Sequence, residues 1–418
     1  MQTQKTHVSF PWKNPQWDKT LAILKKWNLN EQNVDARKKN LAYILVMLGV
    51  KNPRLSVLHS TFYTYKGPID LMIKAIINGD KVFPNGQVCT QTSVASVIKI
   101  TKFQAFILQS LYFFNLLPGE YATMLANDQF ILCIANYFEH VWKKINADNA
   151  WAHKIIMIER RVLGKTVAVP NWIMSVKKLN KVTINTDKKG IEDFRDSAQV
   201  NFADPKPGGT LPSANADIVQ EEILFLIYPE LFITQLTVPN MEMNEAVIVS
   251  GVTRTNNYTG YKQTFRYTGD FSKDDNDVTI IFIDATRGHD RSDVKRLSKK
   301  MNTDLNKAFL GFSANNLKSI ATGHWGCGAF GGNYQFMSII QLLAAAQAEK
   351  SIDYTMYGEP IKGFQEFYNK LVAINANVGE IYSGLMYAVN NKYEEYLSLI
   401  HISEPTRLRR ISYAVFCL

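Results

Sequence analysis

From about Thr166 onward the chain alternates short β-type runs with helix-patterned segments, and this alternation limits the fold more than any other feature. The strand candidates are KVTIN from Lys181, AQVNFA from Ala198, EAVIVSG from Glu245, VTIIFIDA from Val278, LKSIATG from Leu317 and DYTMYG from Asp353. Apolar residues at three- and four-residue spacing fit helices over 218–232, 293–309, 335–349 and 361–374. Such alternation argues for a layered α/β domain with a largely parallel or mixed central sheet. Earlier in the chain the spacing is mostly helical, over 41–50, 68–78, 92–101, 105–117, 119–126 and 131–145. The expected organisation is an α-helical accessory domain at 1–165 and the α/β domain at 166–401. The polar stretch 267–277 reads as a loop. Residues 402–418, ISEPTRLRRISYAVFCL, resemble translated adapter read-through and are expected to be artefactual or unstructured.

At 418 residues and 46% hydrophobic content the chain can bury a large core. A net charge of +10 fits a polyanionic partner, and it fits equally a merely basic surface. No nucleic-acid motif is present, so direct binding of DNA or RNA is not expected. Cys89, Cys133, Cys327 and Cys417 are scattered, without the spacing of a disulfide frame or a zinc site, which points to reduced thiols, no metal and an intracellular setting, nuclear or cytoplasmic. The N-terminus has no apolar signal region, and the apolar runs fall short of the roughly 20 residues of a membrane span.

Chemistry concentrates in QVNFADPKPGGTLPSANADIVQEE, residues 199–222. It reads as a strand over 199–203, a turn rich in Pro and Gly, and a helix starting at Ile218, with Asp217 and Gln220 in capping-box spacing. Residues 223–227 are all apolar, and at about 100° per residue they cover every face of a helix, which is therefore buried all round. Two carboxyls at the mouth of a buried helix are costly without a purpose. Neighbouring side chains diverge by about 100°, which separates their environments. On this geometry Glu222 flanks the innermost stripe, half out of water, as the candidate proton donor, and Glu221 is the candidate substrate contact. The competing reading is an ordinary acidic first turn favoured by the helix dipole.

A second stretch, 323–332 (GHWGCGAFGG), holds five glycines between a strand and a helix. Glycine lets backbone amides approach a ligand, for which a diphosphate is the natural partner; the alternative is a loop that only turns tightly. Cys327 beside His324 lacks a third group to orient a thiol nucleophile, and the pair is too small a set for a metal. In NNYTGY, Tyr261 on a glycine-loosened loop could stack on a base or simply pack.

These motifs, in this order, resemble the poly(ADP-ribose) glycohydrolases. VNFAD, Gly208-Gly209-Thr210 and Gln220-Glu221-Glu222 are followed by FLIYPELF, YTGYKQTFRY, IFIDA, ATGHWGCGAFGG and QLLAAAQAE. The resemblance is close over about 191–358, faint in the helical region before it and absent from about the first sixty residues. It implies a macrodomain-type fold and a monomeric, cofactor-free hydrolase of the DNA damage response. The implied substrate is poly(ADP-ribose), free or attached to proteins, cleaved at its ribose–ribose bonds. By motif position Glu222 is the general acid/base, Glu221 contacts ribose hydroxyls and Gln220 supports ligand contacts. Asn201, Asp204, Gly208 and Gly209 belong to the same catalytic loop. Ile191 and Glu192 lie toward adenine, Tyr261 stacks on it, and Tyr357 packs on the ribose and adenine side. Gly326, Cys327, Gly328, Ala329 and Phe330 hold the diphosphate. The chain departs from the family at Asn201 (Asp), Asp204 (Asn), Thr210 (Gly) and His324 (Asn), with about two extra residues before QEE. An impaired protein that binds ADP-ribose without turnover is therefore the alternative.

Overall fold

The computed structural model describes residues 7–397 apart from 52, 92–94, 118–126, 212, 214, 215, 272–275 and 315–317. The helix expected at 119–126 and the tail at 402–418 lie outside the described residues. Strands β1 (His7–Ser9) and β2 (Gln87–Cys89) form a small antiparallel pair. Between and after them come helices α1 (Trp17–Leu24), α2 (Val34–Met47), α3 (Pro68–Ile77), α4 (Gly79–Val82), α5 (Lys102–Phe113) and α6 (Asp128–Ala147).

The centre is an eight-stranded sheet built from β3 (Ser96–Thr101), β4 (Ile155–Val162), β5 (Val182–Asn185), β6 (Ala198–Phe202), β7 (Glu245–Thr253), β10 (Asp277–Ile283), β11 (Ser319–Thr322) and β12 (Ser351–Thr355); β8 (Asn256–Thr259) and β9 (Arg266–Asp270) form a separate hairpin. Its order is β3-β4-β7-β10-β6-β11-β12-β5. The first four strands pair antiparallel, and from β10 onward all pairings are parallel. The mixed α/β expectation is borne out.

Strand side chains alternate between faces, and here each face meets its own helices. Val247, Val249, Ile280 and Phe282 join the core beneath α3, α5, α6 and α7 (Gln220–Ile227). Their neighbours Ala246, Ile281 and Ile283 join the opposite core under α9 (Val294–Phe312), α10 (Tyr334–Gln347), α11 (Phe364–Ala373) and α12 (Val378–Asn390). Each such buried Val, Ile or Phe is worth about 1.5–3 kcal/mol against exposure.

Three sequence expectations need correction. The stretch 92–101, read as helix, contains β3, because Ile98 and Ile100 alternate with Lys99 and pair with β4. The helical N-terminal region thus supplies two strands, β3 and β4, to the central sheet. The helix expected over 218–232 is α7 followed by a 3-10 turn at Pro229–Phe232 and the short α8 (Ile233–Thr237), since proline cannot supply the amide that a continued helix needs. The loop expected at 267–277 is strand at Tyr267 through Asp270, in β9.

Candidate active site

The loops that leave the C-terminal ends of β6, β11 and β12, the usual place for ligands on a parallel sheet, carry most of the expected site residues; Asn201 lies on β6, Ile191 and Glu192 follow β5, and Tyr261 follows β8. After β6 the chain turns through Gly208 (φ 105°) and Gly209 (φ 54°), both left-handed. A Cβ on Gly209 would collide with both catalytic-candidate carboxylates, standing 2.9 Å from Glu221 Oε2. The glycine is there because the loop folds over the start of α7. Thr210, where the resemblance has glycine, is not among the residues with positive φ.

Each residue of QEE is held by backbone. Gln220 takes the amide of Phe202 (2.8 Å) and donates to the Val200 carbonyl (2.9 Å), which docks α7 on β6. Glu221 accepts from the amides of Asp204 and Gly208, both at 2.8 Å and on different oxygens. Glu222 Oε1 accepts from the Thr210 amide (3.0 Å) and hydroxyl (2.9 Å), and Oε2 from the Val219 amide at 3.2 Å. The helix start is therefore Val219, with Glu222 closing back on it. Asp217 does not cap; it accepts from Gln263 (2.9 Å). Glu222 is 3% exposed, not half out of water, because the 208–210 loop covers it. Burial raises the pKa of both carboxyls, Glu221 furthest, against the pull of the amide hydrogen bonds. Their clamps differ: Glu221 accepts one amide bond on each oxygen, whereas Glu222 accepts two bonds on Oε1 and one, the longest, on Oε2.

Asn201 is fully buried on β6, and among the described residues neither its Oδ1 nor its Nδ2 has a partner. Asp204 does not stand in for it: its carboxylate reaches out to Arg287 (3.4 Å), whose guanidinium lies 4.3 Å over the Phe330 ring. Phe330 belongs to the glycine-rich loop, which Trp325 anchors by donating to the Ile283 carbonyl at the end of β10 (2.9 Å). Gly326 (φ 73°) and Gly332 sit where a Cβ would meet Ala285 and the Gly326 carbonyl, each at 2.7 Å, while Gly328 is open. Gly328 and Ala329 are exposed. Burial pushes the Cys327 thiol up to about 12, so it is no thiolate nucleophile. His324 bridges to the carbonyls of Met356 (3.2 Å) and Glu359 (2.9 Å), a fixed structural role.

The opposite wall is aromatic. Tyr261 is 43% exposed and Tyr357 45%. Burial raises the Tyr261 hydroxyl, and the charge of Glu222 adds to it, so the two lie within electrostatic reach. Tyr258 stacks on Phe265 (5.5 Å) and its hydroxyl donates to the buried Glu192 carboxyl. Ile191 is buried beside it in sequence, and Arg254 holds the Glu192 carbonyl (3.3 Å) and Asp193 (3.3 Å). Among the described residues no group of three or more His, Cys, Asp or Glu is placed to hold a metal, and no helix is long and apolar enough to cross a membrane.

Residues 169–362 match the family described as "Poly (ADP-ribose) glycohydrolase (PARG), Macro domain fold". This stretch, just under half of the chain, is similar to the poly(ADP-ribose) glycohydrolases. Among named relatives, the chain is 26% identical over 315 residues to "Probable poly(ADP-ribose) glycohydrolase 2" of Arabidopsis thaliana, covering 61% of this chain and 58% of that one. It is 32% identical over 195 residues to "Poly(ADP-ribose) glycohydrolase 1" of Caenorhabditis elegans, covering 42% and 25%. The chain thus spans less than two thirds of the length of these relatives. A crystal structure of the Deinococcus radiodurans enzyme with ADP-ribose is 18% identical over 48% of this chain and 87% of its own, at a TM-score of 0.34, too low to bear on the fold.

Within the glycohydrolase region, sequence reasoning missed Tyr258, Arg254 and Arg287. Tyr258 shares its hairpin with Tyr261 and could have been singled out with it. Arg254 and Arg287 are isolated cations just past the end of β7 and in the loop after β10, positions without a pattern of their own.

Proposed function

We propose that this protein hydrolyses the ribose–ribose O-glycosidic bonds of poly(ADP-ribose), with Glu222 as general acid and then general base. The observation that carries this reading is the pair of buried, loop-clamped carboxyls at the start of α7, of which Glu222 is the one whose charge reaches Tyr261. Glu222 protonates the leaving ribose oxygen as the bond breaks. It then takes a proton from the water that captures the oxocarbenium-like centre, which returns the carboxyl to its starting state. Glu221, acceptor-only when ionised, receives ribose hydroxyls. Asn201, buried with an amide unpartnered among the described residues, supplies a polar contact to the same sugar. The exposed Gly328 and Ala329 take the diphosphate, and Tyr261 with Tyr357 brackets the adenine side. Residues 1–165 act as the accessory part that backs this site.

Incubation with labelled polymer tests the proposal. Wild-type protein is expected to release ADP-ribose, and Glu222→Gln to lower the rate by about 10² to 10⁴-fold, the usual worth of a positioned acid. Retained polymer binding without any release at high enzyme concentration would reject catalysis. The binding-only reading rests on Asn201 standing where the resemblance has Asp, so Asn201→Asp discriminates: a large gain of activity would mark the natural site as impaired.

A further inference from the structure

Next to the candidate active site, and outside it, the loop after β10 and the first turns of α9 enclose a cavity of about 480 Å3. Thr286 and Lys300 form its inner side, and Arg287, Asp290, Arg296 and Lys299 its rim. Two of its cations are already engaged. Lys300 is buried against Asp304 (2.8 Å) and the Thr286 hydroxyl (2.9 Å), and Arg287 pairs with Asp204. Arg296 and Lys299, exposed and three apart on one face of α9, form no ion pair or side-chain hydrogen bond among the described residues; the exposed Asp290 is the acid facing Arg296. The cavity therefore presents net positive charge, since Arg296 and Lys299 face the single acid Asp290 in its lining.

Its position gives that charge a direction. Arg287 belongs to the cavity wall and also touches both sides of the sugar end of the active site: Asp204, whose amide holds Glu221, and Phe330 of the glycine-rich loop. Where the bond lies at Glu222 and one unit runs along the glycine-rich loop toward Tyr261, Arg287 stands at the edge of the sugar end, between Asp204 and Phe330. We propose that this cavity receives the diphosphate of the next ADP-ribose unit, on the leaving side of the scissile bond, through Arg296 and Lys299. The inference rests on the proposed function, since it needs a polymer in the site. Two cations three residues apart match the adjoining anionic phosphates of one diphosphate, and an exposed pair binds such a group with strong salt dependence.

Lys295 lies exposed on the same helix but does not line the cavity, so Lys299→Glu and Lys295→Glu make the same charge change with and without the contact. Affinity for ADP-ribose and for a two-unit chain is measured in both, with Glu222→Gln in every protein to keep the chain intact. Lys299→Glu is expected to weaken the two-unit chain about tenfold while ADP-ribose changes by less than about twofold, and Lys295→Glu to change neither. Equal losses in the two variants, or an equal loss for ADP-ribose itself, would overturn the proposal. Absence of ADP-ribose binding to the wild-type protein would instead overturn the proposed function, and this site with it.

Discussion

Glu222 and Glu221 are adjacent, both buried and both raised, yet they are not equivalent, because their oxygens have been assigned different backbone donors. The raised pKa makes a stability prediction. A carboxyl held above its ordinary value binds its proton more tightly in the folded than in the unfolded state. Stability is therefore greatest below the unfolded value near 4.5 and falls as pH rises through the window up to the folded pKa. Gln cannot ionise, so Glu222→Gln escapes that loss. Its amide would face the Val219 N–H at the Oε2 position, a donor against a donor, but that cost does not vary with pH. The melting temperature of the variant relative to wild type should thus climb as pH rises above about 4.5 toward the raised folded pKa. A flat difference would mean that Glu222 titrates as an ordinary exposed carboxyl and has no stored proton to give.

At the scale of elements, α7 and the loop before it work as one unit: the loop buries the carboxyls and the carboxyls hold the loop. Gly209→Ala breaks both halves, through a strained left-handed φ of 54° and a Cβ driven into Glu221 and Glu222. A left-handed alanine alone costs about 1–2 kcal/mol. Gly164→Ala, at φ 81° with nothing within 4 Å, isolates that cost and should keep full activity. Gly209→Ala should lose about 10²-fold in polymer hydrolysis, since displacement of the acid by about 1 Å is worth that much. Similar activity in the two variants would show that the loop does not set the position of Glu222. The sequence made the composition of this unit readable, QEE after a glycine turn, and its burial at α7 followed from the five apolar residues behind it. The closing of the loop over Glu222 was not readable, because Thr210 and Glu222 meet across twelve positions that carry no periodicity. The cap was misplaced to Asp217 for a related reason: the spacing of Asp217 and Gln220 suits a capping box, but Gln220 is spent on β6.

For the whole molecule, the parallel half of the sheet was legible because its strands are short apolar runs between turn signals, and β5, β6, β11 and β12 all stand near where those runs fall. In the antiparallel half β7 and β10 were legible for the same reason and β3 and β4 were not, since β4 reads IIMIERRV, with charged residues at 159–161, and Arg160 is buried by donating to the Pro239 and Asn240 carbonyls and by pairing with Glu245 on β7. Those two strands decide how the halves of the chain depend on each other. β4 covers β7 in register from Val162 opposite Glu245 to Met157 opposite Ser250. Lys102 at the start of α5 is fully buried between Glu230 (3.3 Å) and Asp277 (2.8 Å). A chain beginning at 166 would expose the edge of β7 along its whole length, uncover the apolar core face at Val247, Val249 and Phe282, and leave Glu230 buried without its cation. The last alone costs about 3–5 kcal/mol, and a bare hydrophobic edge strand templates aggregation. The 166–397 fragment is therefore expected to be insoluble or to elute as aggregate in size-exclusion chromatography, with no ADP-ribose binding. A monodisperse fragment that binds ADP-ribose like the full chain would show that the first 165 residues form a dispensable accessory domain, in spite of the two strands they lend to the sheet.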